Sequence, residues 1–168
     1  MRAARPDEMD LVIAIDDDAI AHYATAGITF DLAADHPFAV AEYARWTAAL
    51  TSGDVFFSLA GGEPVGFAVM GLVDGEPYLE QLSVRRAAMR RGHGSALFVR
   101  ALDWARARSD GGLWLNTYGH LSWNRPFYER RGFVLVAESE WRTEMRGVVA
   151  AQRAVLPRPE QRVVMRHA

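Results

Sequence analysis

Arg90-Arg91-Gly92-His93-Gly94-Ser95 sets two cations and two glycines where a helical pattern begins. The first N–H groups of a helix have no partner inside it, and the helix dipole makes that end positive. Glycine lets a phosphate come close to those N–H groups, so the run reads as an anion cradle with arginines on its lip. Arginines alone would make a solvated basic turn, but these lie between a strand and a glycine-rich helix start. Further residues could do chemistry downstream. His120 carries an imidazole, a side chain suited to proton transfer, and Tyr118 and Trp123 flank it as possible walls of an aromatic pocket or as packing under a loop. Asn124 suits a helix cap.

The elements that must position these residues follow from periodicity and punctuation. A short strand is expected within 1–5. A helix is expected over 7–23, with Pro6 in its first turn and Leu11, Ile15 and Ala19 on its apolar stripe. A loop or broken turn covers 25–36, and Pro37 opens a second helix to about Leu50. Strands at 55–60, 65–72 and 78–84 form an antiparallel meander, with Asp74-Gly75 as a hairpin turn. The helix after the cradle spans 92–108 and is stopped by Gly111-Gly112. A strand at 113–117 follows, so 78–84, helix and 113–117 make a βαβ crossover with two parallel strands. A helix capped by Asn124 ends at Gly132. A strand at 133–137, a helix over 141–154 and a closing strand at 161–166 complete the chain. The fold class is α/β (α+β): a mixed, mostly antiparallel sheet with one parallel crossover, flanked by helices.

Bulk properties narrow the function. The chain has 168 residues, half of them apolar and 24% charged, the composition of a single domain over 1–168. A formal net charge of -2 gives no global field for nucleic acid. There is no cysteine, so disulfide and thiolate chemistry are excluded. All 19 basic residues are arginine. The lack of lysine excludes a P-loop, and the cradle lacks the third glycine of a dinucleotide fingerprint. No apolar run has the length of a signal peptide or membrane span, so a cytoplasmic protein is expected.

The run RRGHGSA resembles the Q/R-x-x-G-x-G/A signature of the GNAT superfamily of acyl-CoA-dependent N-acyltransferases. The strand YLEQLSV upstream, LWLNT after the helix, and NRPFYERRGF, similar to N-x-x-F-Y-x-x-x-G-F, extend the resemblance over nearly the whole chain. It implies a single GNAT-like domain and acetyl-CoA, with no metal, as co-substrate. Backbone N–H groups from Arg91 through Gly92, His93, Gly94 and Ser95 would hold the pyrophosphate, with Arg90 beside them. The edge of Leu82, Ser83 and Val84 would pair with the pantetheine arm, and an N–H near Leu82 would steady the oxyanion. Tyr128 would contact the cofactor and act as general acid toward the thiolate, or else be a core aromatic beside Phe127 and Phe133. Asn124 would contact the cofactor as well as cap.

For the general base the resemblance leaves Glu80, His120 or a water chain open. Asn116 stands where some members place a glutamate and cannot serve. His120 and Trp123 would border the acceptor. The acidic residues Asp16, Asp17, Asp18, Asp31 and Asp35 would suit a cationic amine, or form a solvated face. The partner is expected to be a small-molecule or peptide amine, with no nucleic acid or membrane and a possible homodimer. A binding module without turnover is the alternative.

Overall fold

The computed structural model describes residues 1–109 and 112–167. Along the chain run β1 (Arg2–Ala3), α1 (Met9–Ile20), α2 (Pro37–Ser52), β2 (Val55–Ala60), β3 (Glu63–Val73) and β4 (Glu76–Val84). There follow α3 (His93–Arg106), β5 (Leu113–Tyr118), α4 (Arg125–Glu129), β6 (Phe133–Leu135), α5 (Thr143–Val155) and β7 (Arg162–His167). Two compact units form. The first holds Met1–Gly71 and Leu79–Asp103; the second holds Leu72–Tyr78 and the chain from Trp104 onward.

In the first unit the strand order is β1-β2-β3-β4. β1 and β2 are antiparallel, as are β2 and β3, with Phe57 opposite Phe67 and Val55 opposite Val69. Alternate residues of a strand leave on one face. Val55, Phe57, Phe67 and Val69 therefore meet Val12 and Ile15 of α1 and Trp46 and Leu50 of α2 in one core cluster. The helix α2 begins as its sequence demands. Pro37 needs no donor at the first position, and His36 Nδ1 accepts from Phe38 N–H at 3.1 Å. Gly53 ends it with φ 80°.

The helix α1 differs from expectation. It starts at Met9, so Pro6 lies ahead of it and not in its first turn. Glu8 occupies the N-cap position but does not cap. Its buried carboxylate instead accepts from the Arg2 guanidinium at 2.6 and 2.7 Å and from Arg5 N–H at 2.7 Å. After Ile20 the helix tightens into a 3-10 segment, Ala21–Ala26, ended by Gly27 at φ 67°. At Gly66 the backbones of β3 and β4 come too close for a side chain: a Cβ there would lie 2.8 Å from the Ser83 carbonyl oxygen.

In the second unit the order is β4-β5-β7-β6. β4 and β5 are parallel, with Tyr78 opposite Trp114, which is the expected crossover. β7 is antiparallel to both β5 and β6. The closing strand is thus interior, and β6 is the edge, ending at Leu135 and not at Ala137. The helix α5 starts at Thr143, leaving Trp141 ahead of it, and packs Met145 and Val149 with Trp141 against Val73, Tyr78 and Val164. The expected stop of α3 at Gly111-Gly112 falls partly outside the described residues, since Gly111 is not among them; α3 itself ends at Arg106.

The Arg2 guanidinium, followed by the Arg5 N–H, holds the Glu8 carboxyl down to about 2 from its ordinary 4.5. A group depressed on folding stabilises above its unfolded pKa and loses that contribution as pH falls through its folded one. Melting temperature should therefore fall between pH 5 and 2 in the native chain, and Glu8→Gln should flatten that slope when the two are melted across the same pH range.

Candidate functional site

The strand β4 sends its side chains in two directions, and each has a helix to meet. On one side, a Cβ at Gly94 of α3 would sit 3.8 Å from Leu82 Cδ2 and from Val84 Cγ2, so the first turn of α3 lies against these residues. In the other direction Gln81 and Ser83 reach α1. Asp16 Oδ1 accepts from Ser83 Oγ at 2.6 Å and from Gln81 Nε2 at 2.8 Å. Gln81 Nε2 also donates to Ser83 Oγ at 3.1 Å. Burial pushes the Asp16 carboxyl above the ordinary carboxylate range, against the lowering effect of the Ser83 and Gln81 hydrogen bonds; Asp17 adds to the rise.

The chain leaving β4 is fixed by the same helix. Arg85 donates to the Ala14 carbonyl at 3.2 Å. Arg86 N–H donates to Asp18 at 2.7 Å and its guanidinium pairs with the same carboxylate at 3.3 Å. The backbone bond from Arg86, with its side-chain bond behind it, lowers the Asp18 pKa. Arg90 then takes φ 62° and Gly92 φ 90°, two left-handed steps that turn the chain into α3. Ala96 N–H donates to the Gly92 carbonyl at 3.0 Å. The N–H groups of His93 and Gly94 ahead of it belong to the first turn, whose donors a helix does not bond internally. Arg90 and Arg91 are exposed, and among the described residues no carboxylate pairs with either. His93 shares a 2.8 Å hydrogen bond with Ser58 of β2 through Nδ1, which pins its ring.

Glu80 is not a free carboxylate: it is ion-paired with Arg45 of α2. In the first unit the structure thus brings Glu80, Leu82, Ser83 and Val84 together with Arg90, Arg91, Gly92, His93, Gly94 and Ser95 on consecutive elements.

The other expected residues lie in the second unit, between β5 and β6. Asn124 stands at the N-cap of α4, and its carbonyl accepts from Phe127 and Tyr128 N–H at 2.9 and 3.2 Å. Its side chain makes no capping bond, so that expected role falls away. Tyr128 is half-buried, its ring 5.2 Å from Phe127 and 5.6 Å from Phe133. His120 is exposed and edge-on to Tyr118 at 5.8 Å; Trp123 is half-buried. Tyr118 is no pocket wall. It is 1% exposed, donates to the Pro157 carbonyl at 2.7 Å, and carries the Arg162 guanidinium over its ring. Asn116 accepts from Arg162.

A family model described as the acetyltransferase (GNAT) family matches residues 17–133. The chain belongs to this family. N-acetylglutamate synthase from Neisseria gonorrhoeae, complexed with coenzyme A and N-acetyl-glutamate, superimposes with a TM-score of 0.69 at 17% identity. That match covers 98% of this chain but 34% of the synthase chain. Rv2747 from Mycobacterium tuberculosis, in complex with CoA and a second ligand, gives 0.69 at 14% identity over 99% of this chain and 97% of that one. The PaiA N-acetyltransferase from Thermoplasma acidophilum, in complex with coenzyme A, gives 0.66 at 12% over 99% and 96%. At such identities the superpositions establish the GNAT fold.

Sequence reasoning missed Arg45, Ser58 and the inward turn of Asp16 in this GNAT chain. One signal was present for Asp16: it lies four residues after Val12 and three before Ala19, both buried, and so shares the inward stripe of α1. No local signal marks Arg45 or Ser58.

Removing the Ser83 hydroxyl would leave a crowded carboxylate one charge-assisted hydrogen bond short. Ser83→Ala should cost about 1.5–3 kcal/mol in urea unfolding.

Proposed function

We propose that this GNAT chain transfers an acetyl group from acetyl-CoA to a primary amine of a small molecule or peptide, by direct attack on the thioester. The observation that carries the reading is the cradle itself. Two left-handed steps at Arg90 and Gly92, two exposed arginines and the positive, N-terminal end of α3 suit a pyrophosphate. A Cβ at Gly92 would meet no atom within 4 Å, so the space over the turn is open to a ligand.

The edge of Leu82, Ser83 and Val84 would take the pantetheine amides, and the N–H near Leu82 would donate to the thioester carbonyl. Support comes from the place of these residues at the end of β4, directly before the turn into α3. Tyr128 would contact the cofactor and protonate the departing thiolate; a half-buried phenol in the NRPFYERRGF motif is what supports it. Asn124 would contact the cofactor from the same motif. His120 and Trp123 would border the acceptor, as an exposed imidazole and a half-buried indole suit. Glu80, held by Arg45, must release that partner before it can take a proton. The reading as one domain over 1–168 is supported by the family match, whose residues 17–133 run through parts of both units.

The test is thiol release from acetyl-CoA across a panel of primary amines. Release with at least one amine is expected. Calorimetric binding of CoA with no release on any amine would instead identify a binding module. In the active enzyme Tyr128→Phe should lower kcat by about a hundredfold; unchanged turnover would remove Tyr128 from the chemistry.

A further inference from the structure

Several carboxylates of the first unit hold an arginine. Glu8 holds Arg2, Asp18 holds Arg86 and Glu80 holds Arg45. Asp16 differs: among the described residues no cation reaches it. Its two partners, Ser83 and Gln81, are neutral, and both donate to the same oxygen, Oδ1. Oδ2 accepts no hydrogen bond among the described residues, and the residue is partly exposed. The carboxylate is thus fixed in orientation against β4, crowded by protein, and uncompensated in charge. An anion in that state is complementary to a cation that arrives from outside.

We propose that Asp16 receives the ammonium group of the acceptor and takes its proton through Oδ2, which makes the acceptor a cationic primary amine. The inference rests on the acetyltransferase reading above. An ammonium N–H bond breaks to Asp16 Oδ2, and the freed lone pair forms the C–N bond at the acetyl carbonyl carbon. The C–S bond breaks, the sulfur takes up a proton and leaves as a thiol, and the nitrogen gives up its second proton. Asp16 then returns its proton to water. Reactants and products balance as amine cation plus acetyl-CoA giving amide, CoA thiol and one proton.

The neighbouring charges fit this role. Asp17 from α1 raises the proton affinity of Asp16, while Gln81 and Ser83 from β4 contribute dipoles without charge. From α2, the Tyr43 phenol has its own pKa raised by burial and then by Asp17, Asp16 and Glu42, so it stays neutral at pH 7. Glu80 is neutralised by Arg45. Asp16 works as its anion, so kcat/KM for the amine should rise with pH through a limb above the ordinary carboxylate range.

The test compares the native chain with Asp16→Asn, which keeps the shape and the acceptor for Ser83. At saturating acetyl-CoA, Asp16→Asn should lose about a hundredfold in kcat/KM for an alkylammonium substrate and lose the acid limb. An arylamine, neutral at pH 7, should lose much less, and CoA affinity by calorimetry should stay within about twofold. Equal kcat/KM and an intact acid limb in an active pair overturn the inference and leave the acetyltransferase reading standing. Absence of turnover on any amine by the native chain overturns both. If Asp16→Asn does not fold, the native chain decides alone: equal use of an alkylammonium and a neutral arylamine, with no acid limb, overturns it.

Discussion

Side chains leave a strand to opposite faces in turn, and β4 uses that alternation for two different tasks. Leu82 and Val84 lie under the first turn of α3, where a side chain larger than glycine at 94 would meet them. Gln81 and Ser83 reach the carboxylate of α1. A one-residue slip of β4 would exchange the two sets and put a serine under the helix start and a leucine against Asp16. Gly66 guards against such a slip, because β3 approaches the Ser83 carbonyl too closely for any side chain. The placement of the glycine-rich turn and the orientation of Asp16 thus depend on one register.

Electrostatics divide the acidic residues of the first unit by what they hold. Glu8 and Asp18 are structural: arginine side chains and backbone N–H groups saturate them, and both are held below their ordinary range. Asp18 fastens the chain just after β4 and so fixes where the turn toward Gly92 begins. Asp16 moves in the opposite direction, because crowding outweighs two neutral donors. A run of three aspartates therefore contains three environments, with only Asp17 exposed.

The glycine-rich turn into α3 was legible because its signals are local. Gly92 needs a left-handed φ, the strand before it has a period of two, and the helix after it has an apolar stripe. The crossover from β4 to β5 followed from order alone. The elements that missed their expected bounds did so where a tertiary contact overrides a local rule. Pro6 suits a helix start, yet Glu8 is engaged by Arg2 and Arg5, and α1 begins two residues later than expected, at Met9. Asn124 suits a cap, yet its backbone alone serves α4. Tyr118 stood in an apparent loop but ends β5, where its hydroxyl finds the Pro157 carbonyl. The bond from Arg45 to Glu80 joins residues 35 apart in sequence, and no window of local pattern can show it.

The ion pairs of Arg2, Arg45 and Arg86 share a chemical property with every other cation in the chain, since all 19 are guanidinium groups. A guanidinium stays protonated throughout the physiological range and is a poor nucleophile, whereas a lysine amine is acylated by thioesters whenever it loses its proton. No side chain of this protein offers such an amine. The contacts that shape β4 and its surroundings are therefore immune to stray acylation, and a reactive acyl thioester can accumulate around the protein without eroding the charges that hold it together.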